Sequence, residues 1–178
     1  MSTLKVNNLD TQTGSNIVVA SGKVLSAPGH IIQTVIGDKF ITQTSTTSSS
    51  YSDVVSLAIT PKFSSSSIKV SLFYHASGNH AMRLLRDSTA LFTPTNTYMI
   101  YDNDSYNQST ATNGSARRVI AMSFVDSPST TSAITYKWQV ASYNASNGTG
   151  MIFNELTASS ASNYTYMEIL EIAQWLLN

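Results

Sequence analysis

The chain has 178 residues, ten basic and ten acidic residues, a formal net charge of zero and no cysteine. That length fits one domain of ordinary size plus a tail. The lack of cysteine excludes disulfides, thiolate metal sites and cysteine nucleophiles, and a neutral chain without a basic stripe argues against nucleic-acid binding, which needs clustered Lys and Arg.

The N-terminus, "MSTLKVNNLDTQTG", has no long apolar core and no small-residue cleavage pattern. No run approaches the ~20 apolar residues of a membrane span. The expectation is a soluble, unsecreted chain with no membrane insertion. Residues 1–33 read as a thin element of short apolar groups, Leu4, Val6 and Leu9, then Ile17, Val18 and Val19, broken by "TQTGS" and "SAPGH". Two or three short strands are not stable alone. The segment therefore reads as a docking or oligomerisation arm, the alternative being a mobile terminus. Residues 34–178 form the head.

Strand signals recur from residue 31. "IIQTVIGDKFITQT" holds two apolar groups around Gly37 and Asp38. In "YSDVVSLAITPKF", Val55, Leu57 and Ile59 alternate with small or polar residues. In "IKVSLFYHAS", Ile68, Val70, Leu72 and Tyr74 share one face and Lys69, Ser71 and His75 the other, a period of two. "HAMRLLRD" and "TALF" predict a hairpin around Asp87 and Ser88. Residues 93–116 are a long polar stretch, and a loop beyond roughly a dozen residues in a compact domain is usually functional or disordered. "RRVIAMSFVD" has apolar residues on both faces, which predicts a strand covered on both sides. "AITYKWQVASY" alternates through Ile134, Tyr136, Trp138 and Val140, "MIFNELTA" is a short strand, and "YTYMEILEIA" is the last. Charge is only 11%, well under the ~25% of an average domain, and the abundant Thr, Tyr and Val suit a pleated surface. The fold class is all-β, a jelly-roll-like β-sandwich of about eight strands.

The succession "TSSSYSDVVSLAITPKFSSSSIKVSL", "RLLRDSTAL" and "YMEILEIA", together with the opening "LKVNNLDTQTGSNIVVASGKVL", resembles tail-fibre-like proteins of tailed bacteriophages, especially phages of aquatic bacteria such as cyanobacteria. The pieces follow the family's order over most of the chain. The resemblance implies a virion structural protein assembled in the bacterial host cytoplasm, a homotrimer whose sandwich head is attached to other phage structural proteins by the N-terminal arm. Two departures stand out. The arm is short, without coiled-coil heptads, and the ending "QWLLN" runs past the usual last strand, leaving Trp175 to cap a trimer base or to pack in the core. The short shaft keeps open a head fibre or capsid-decoration knob of the same fold, without a receptor-binding role.

Catalytic candidates are few. His30, His75 and His80 lack any "HExxH" spacing and read as hydrogen-bonded structural residues, although a trimer axis could gather three copies of one His around an ion. Asp102 and Asp104 are a close acidic pair without the Gly and terminal Glu of a calcium loop. A polysaccharide-degrading spike needs carboxylate pairs at a groove, which this chain scarcely offers. The expectation is no enzyme, no cofactor and no metal. The loop that holds Tyr98, Tyr101 and Tyr106 among Asp102, Asp104 and Asn107 offers aromatic faces beside planar polar groups. A sugar ring, with one apolar face and a rim of hydroxyls, fits such a surface. These residues are the candidate contact with bacterial surface polysaccharide, the alternative being tyrosines packed in the sheet below a hydrated tip. Arg83 and Arg86 read as architecture, one of them crossing a trimer interface to Glu168 or Glu171 as a bidentate pair.

Overall fold

The computed structural model describes residues 27–37, 44–77, 80–92, 118–142, 151–153 and 165–174. Ten strands run through them: β1 (Ile31–Ile36), β2 (Thr44–Thr46), β3 (Ser52–Ile59), β4 (Ser67–Ser77), β5 (His80–Arg86), β6 (Thr89–Phe92), β7 (Arg118–Asp126), β8 (Ile134–Ser142), β9 (Met151–Phe153) and β10 (Tyr166–Ile172). All strand pairs are antiparallel.

The first sheet holds six strands in four rows. β7 pairs one edge of β4, β10 and the short β9 share its other edge, and β1 and β2 lie outermost. The second sheet runs β3-β8-β5-β6. Without the short β2 and β9, each connection between long strands crosses from one sheet to the other except the β5–β6 hairpin, as in a jelly roll. The all-β sandwich read from the sequence is the observed fold.

Period-two patterning builds the core. Ile68, Val70, Leu72 and Tyr74 of β4 meet Ile134, Tyr136, Trp138 and Val140 of β8, with Met82 and Leu84 of β5 and Met167 and Ile169 of β10. Each set occupies alternate positions of its strand, so one face of each sheet is apolar and stacks on the other. Burying such side chains is worth roughly 1.5–3 kcal/mol each. The β5–β6 hairpin turns through Asp87 and Ser88 as expected, and Asp87 takes a positive φ of 54°. Asp is among the few residues that tolerate this region. Its turn is anchored to the neighbouring strand, since Asp87 N–H donates to Thr135 O at 2.7 Å and Thr135 N–H donates to Asp87 Oδ1 at 2.9 Å.

Two expectations change. β1 begins at Ile31 and pairs β10, so residues 31–33, assigned to the arm by the sequence, belong to the sandwich. Gly29 and His30 already bond the backbone of Ala173. The expectation that both faces of β7 are covered also fails. Ile120, Met122 and Phe124 pack on the core, but Val119 and Val125 are 55% and 58% exposed. β7 is an edge strand, and its outward side chains meet no element among the described residues.

The antiparallel path gives the sandwich two distinct ends. At one end lie Gly29, the start of β1, the 60–66 turn, the β5–β6 hairpin tip and Ala173. At the other lie Ser77, His80, Ser142 and the start of β7, where Arg118 is level with Ala76. Over its 11 residues, at ~3.3 Å each, β4 separates these ends by roughly 35 Å.

Candidate functional site

The glycan candidates Tyr98, Tyr101, Asp102, Asp104, Tyr106 and Asn107 lie outside the described residues, as do Leu4, Val6, Leu9, Ile17, Val18 and Val19 of the arm and Trp175 at the C-terminus. What the structure does fix is where the first two groups join the sandwich. The 93–117 connection leaves from Phe92, level with Leu84 partway along β5, and returns at Arg118, level with Ala76 at the Ser77 end. The N-terminal segment joins at residue 27, beside Ala173, at the opposite end.

Three of the four charged trimer candidates, Arg83, Arg86 and Glu171, have partners within the chain. Glu171 follows Met167 and Ile169 on the inward face of β10 and is fully buried, so no second chain can reach it. Its carboxylate is filled from within. Oε1 accepts Lys62 N–H at 2.8 Å, Phe63 N–H at 3.1 Å and Ser66 Oγ–H at 2.7 Å. Oε2 accepts Lys62 N–H at 3.0 Å and Gln33 Nε2–H at 2.6 Å. A buried charge is tolerated when hydrogen bonds saturate it in this way. Glu171 fastens the 60–66 turn to β1 and β10.

Arg86 also pairs within the chain, to Asp126 Oδ2 at 2.7 Å. The same oxygen accepts Tyr136 Oη–H at 2.7 Å. Since Asp126 ends β7 and the other two belong to β5 and β8, this cluster joins the two sheets. Burial, then the bond to Asp126, pushes the Tyr136 phenol well above its usual pKa. Arg83 points outward from β5, donates Nε–H to Gln139 Oε1 at 2.6 Å and stacks its guanidinium 4.2 Å from the Tyr51 ring centroid. Gln139 in turn donates to Asp53, whose other oxygen is 3.6 Å from Lys137 Nζ. The correction to the sequence reading is therefore that Arg83, Arg86 and Glu171 have intrachain partners. Glu168 alone of the four lies on the outward face of β10. Burial and the neighbouring Glu168 carboxylate raise the Tyr166 phenol above its usual value.

Of the histidines, His80 is buried and shares a 3.0 Å hydrogen bond with Tyr74, the two rings meeting edge to face across the core. This is the structural role that the sequence suggested for it. Among the described residues no group of three or more metal-ligating side chains forms.

The outer faces of the two sheets differ sharply. The second sheet carries the polar chain Arg83–Gln139–Asp53–Lys137. The first sheet carries exposed apolar residues among polar ones, in register across its rows. Ala121, Phe73 and Tyr166 form one line, Ser123, Ser71, Glu168 and Ile36 the next, and Val125, Lys69, Leu170 and Thr34 a third. Where the small side chains Ser71, Ala121 and Ser123 lower the surface, a hollow of about 390 Å³ opens, walled by Phe73 and Tyr166 and bounded by Lys69. Its shape and lining suit an apolar or aromatic group with a hydroxyl within reach. Sequence reasoning missed this hollow because it expected β7 to be covered. The signal was present as Val119 and Val125 on the non-core parity of that strand.

No protein-family model and no curated protein matches the chain.

Proposed function

We propose that this chain is a bacteriophage virion structural protein, a trimeric tail-fibre-like head. Its N-terminal segment attaches it to other phage structural proteins, and the 93–116 loop meets bacterial surface polysaccharide. The observation that carries this reading is the two-ended sandwich. The N-terminal segment joins at the Ala173 end, and the 93–117 connection returns to the sandwich at Arg118 at the Ser77 end, roughly 35 Å away along β4. An adhesin of this kind would attach through its N-terminal segment and contact the host through the loop that precedes β7. Three weak sites acting together can raise avidity by about 10²–10⁴ without new contacts.

The fate of the carboxylates supports the same reading. Asp53 is held by Gln139, Asp87 by Thr135, Asp126 by Arg86 and Tyr136, and Glu171 by the 60–66 turn. Glu168 lies two residues from Tyr166 on the outward face of β10. Four of the five described carboxylates therefore serve architecture, whereas glycan cleavage needs a pair facing each other across a groove.

Immunogold labelling of purified phage particles with antibody to this chain tests the reading. Label on the tail is the expected result. Label on the capsid would turn the protein into a decoration knob, and particles without label would refute a virion role.

A further inference from the structure

The outer face of the β7-β4-β10-β1 sheet is the surface without an account so far. We propose that it is the interface through which copies of this chain meet, covered in the assembly by a second copy. The inference rests on the reading of the protein as an assembling virion component, and it names the surface that does the assembling.

The first argument is the contrast between faces. The outer face of the second sheet binds its charges to one another in a solvated ladder of Arg83, Gln139, Asp53 and Lys137. The outer face of the first exposes Phe73 at 41%, Val119 at 55%, Val125 at 58% and Ile36 at 58%, with Leu170 and Tyr166 between them. A sheet of this kind normally alternates apolar-in and polar-out, and an apolar outer face marks a surface meant to be covered.

The second argument is area. Four rows at ~4.8 Å spacing and seven residues at ~3.3 Å rise make about 19 by 23 Å, or about 440 Å² in projection. Two such faces, corrugated by their side chains, bury on the order of 1,000 Å², where specific interfaces begin.

The third argument is charge. From Val119 to Val125, and across to β1, the face carries one cation, Lys69, and one anion, Glu168, beside His75. Opposed copies meet with no excess of like charge from these two, and Lys69 of one copy can face Glu168 of the next. A negatively charged glycan or an acidic partner would call for a basic face, which this is not. The hollow between Phe73 and Tyr166 gives an apolar side chain of the opposed copy a place to enter. The open edge of β7 lies beside it.

Light scattering of the full chain across a concentration series tests the proposal, using Phe73→Lys, Val125→Lys and, as control on the other outer face, Ala58→Lys. The wild type and Ala58→Lys are expected to scatter as oligomers of at least two copies. Phe73→Lys and Val125→Lys are expected to fall to the 19.3 kDa monomer with an unchanged β circular dichroism spectrum. Both residues are exposed in the protomer. If Phe73→Lys fails to fold, Val125→Lys at the sheet edge gives the same reading. An oligomeric wild type whose mass survives both lysines would overturn this interface while leaving the assembling-protein reading intact. A wild type that is monomeric throughout would overturn both.

Discussion

Replacing Glu171 tests most directly what holds the sandwich closed at its N-terminal end. Its carboxylate accepts from two backbone amides, a hydroxyl and a side-chain amide, all at 2.6–3.1 Å. In Glu171→Leu the volume is nearly conserved, but Lys62 N–H and Phe63 N–H lose their acceptor. Ser66 can rotate its hydroxyl elsewhere, and Gln33 keeps its 2.8 Å bond to Thr60 O. Each orphaned donor costs about 1–3 kcal/mol. The partial exposure of the turn favours the lower half of that range, and loss of the Ser66 and Gln33 bonds adds about 1 kcal/mol. The sum is about 3–5 kcal/mol, or a fall in Tm of roughly 6–20 °C for a chain of this size. Glu171→Gln keeps one carbonyl oxygen for Lys62, Phe63 and Ser66 but turns an NH₂ towards Gln33 Nε2. Its cost is expected at about 1–2 kcal/mol. Urea unfolding of the three proteins gives the comparison. Leucine as stable as glutamate within about 1 kcal/mol would refute the reasoning, because it would mean that the buried charge repays no more than a hydrophobic isostere does.

Three further outcomes follow from the inter-sheet cluster and the core. Because Tyr136 keeps its proton in the folded state far above its usual range, the unfolded chain alone ionises above pH ~10. Stability is then constant with respect to this group below pH ~10 and falls by about 1.4 kcal/mol per pH unit above it; guanidinium titrations from pH 8 to 11.5 on wild type and Tyr136→Phe should show the slope shrink in the variant. Arg86→Met leaves Asp126 with Tyr136 and Ser127 as its partners and should cost about 1–3 kcal/mol, with a double-mutant cycle against Asp126→Asn recovering a coupling of at least 1 kcal/mol. Trp138 Nε1–H is buried without a hydrogen-bond partner, so Trp138→Phe should cost less than about 2 kcal/mol in thermal unfolding, against the 3–5 kcal/mol typical of removing a large aromatic.

Much of this fold was legible because a strand's period is two and a sandwich rewards it. Ile68, Val70, Leu72 and Tyr74, and likewise Ile134, Tyr136, Trp138 and Val140, announce their faces in sequence, and all of them are core. The turn at Asp87 and Ser88 was readable from local chemistry. Less of the site was legible, for a reason of the same kind. Glu171 reads in sequence as an arginine's partner across a trimer interface, because glutamate is almost never fully buried unless it is paired or hydrogen-bonded. Yet its parity with Met167 and Ile169 already placed it on the inner face, and the polar turn "TPKFSSS" supplied the donors. Asp126 and Arg86 obey the same parity on β7 and β5. Their meeting could not be read because it depends on how two distant strands stack.

The two kinds of exception then separate cleanly. Polar side chains on the inner parity, Glu171, His80 and the Arg86–Asp126–Tyr136 cluster, have hydrogen-bond partners inside the chain. They tie turns and sheets together where apolar packing alone would leave the register free to slip. Apolar side chains on the outer parity, Val119, Val125, Phe73 and Ile36, find no such partner element among the described residues. A departure from the binary pattern that is satisfied internally stabilises the protomer. One that is left open points to a contact outside it. The structure covers only the inner face of β7, so its second apolar face is the part of the sequence pattern left for the proposal above to account for.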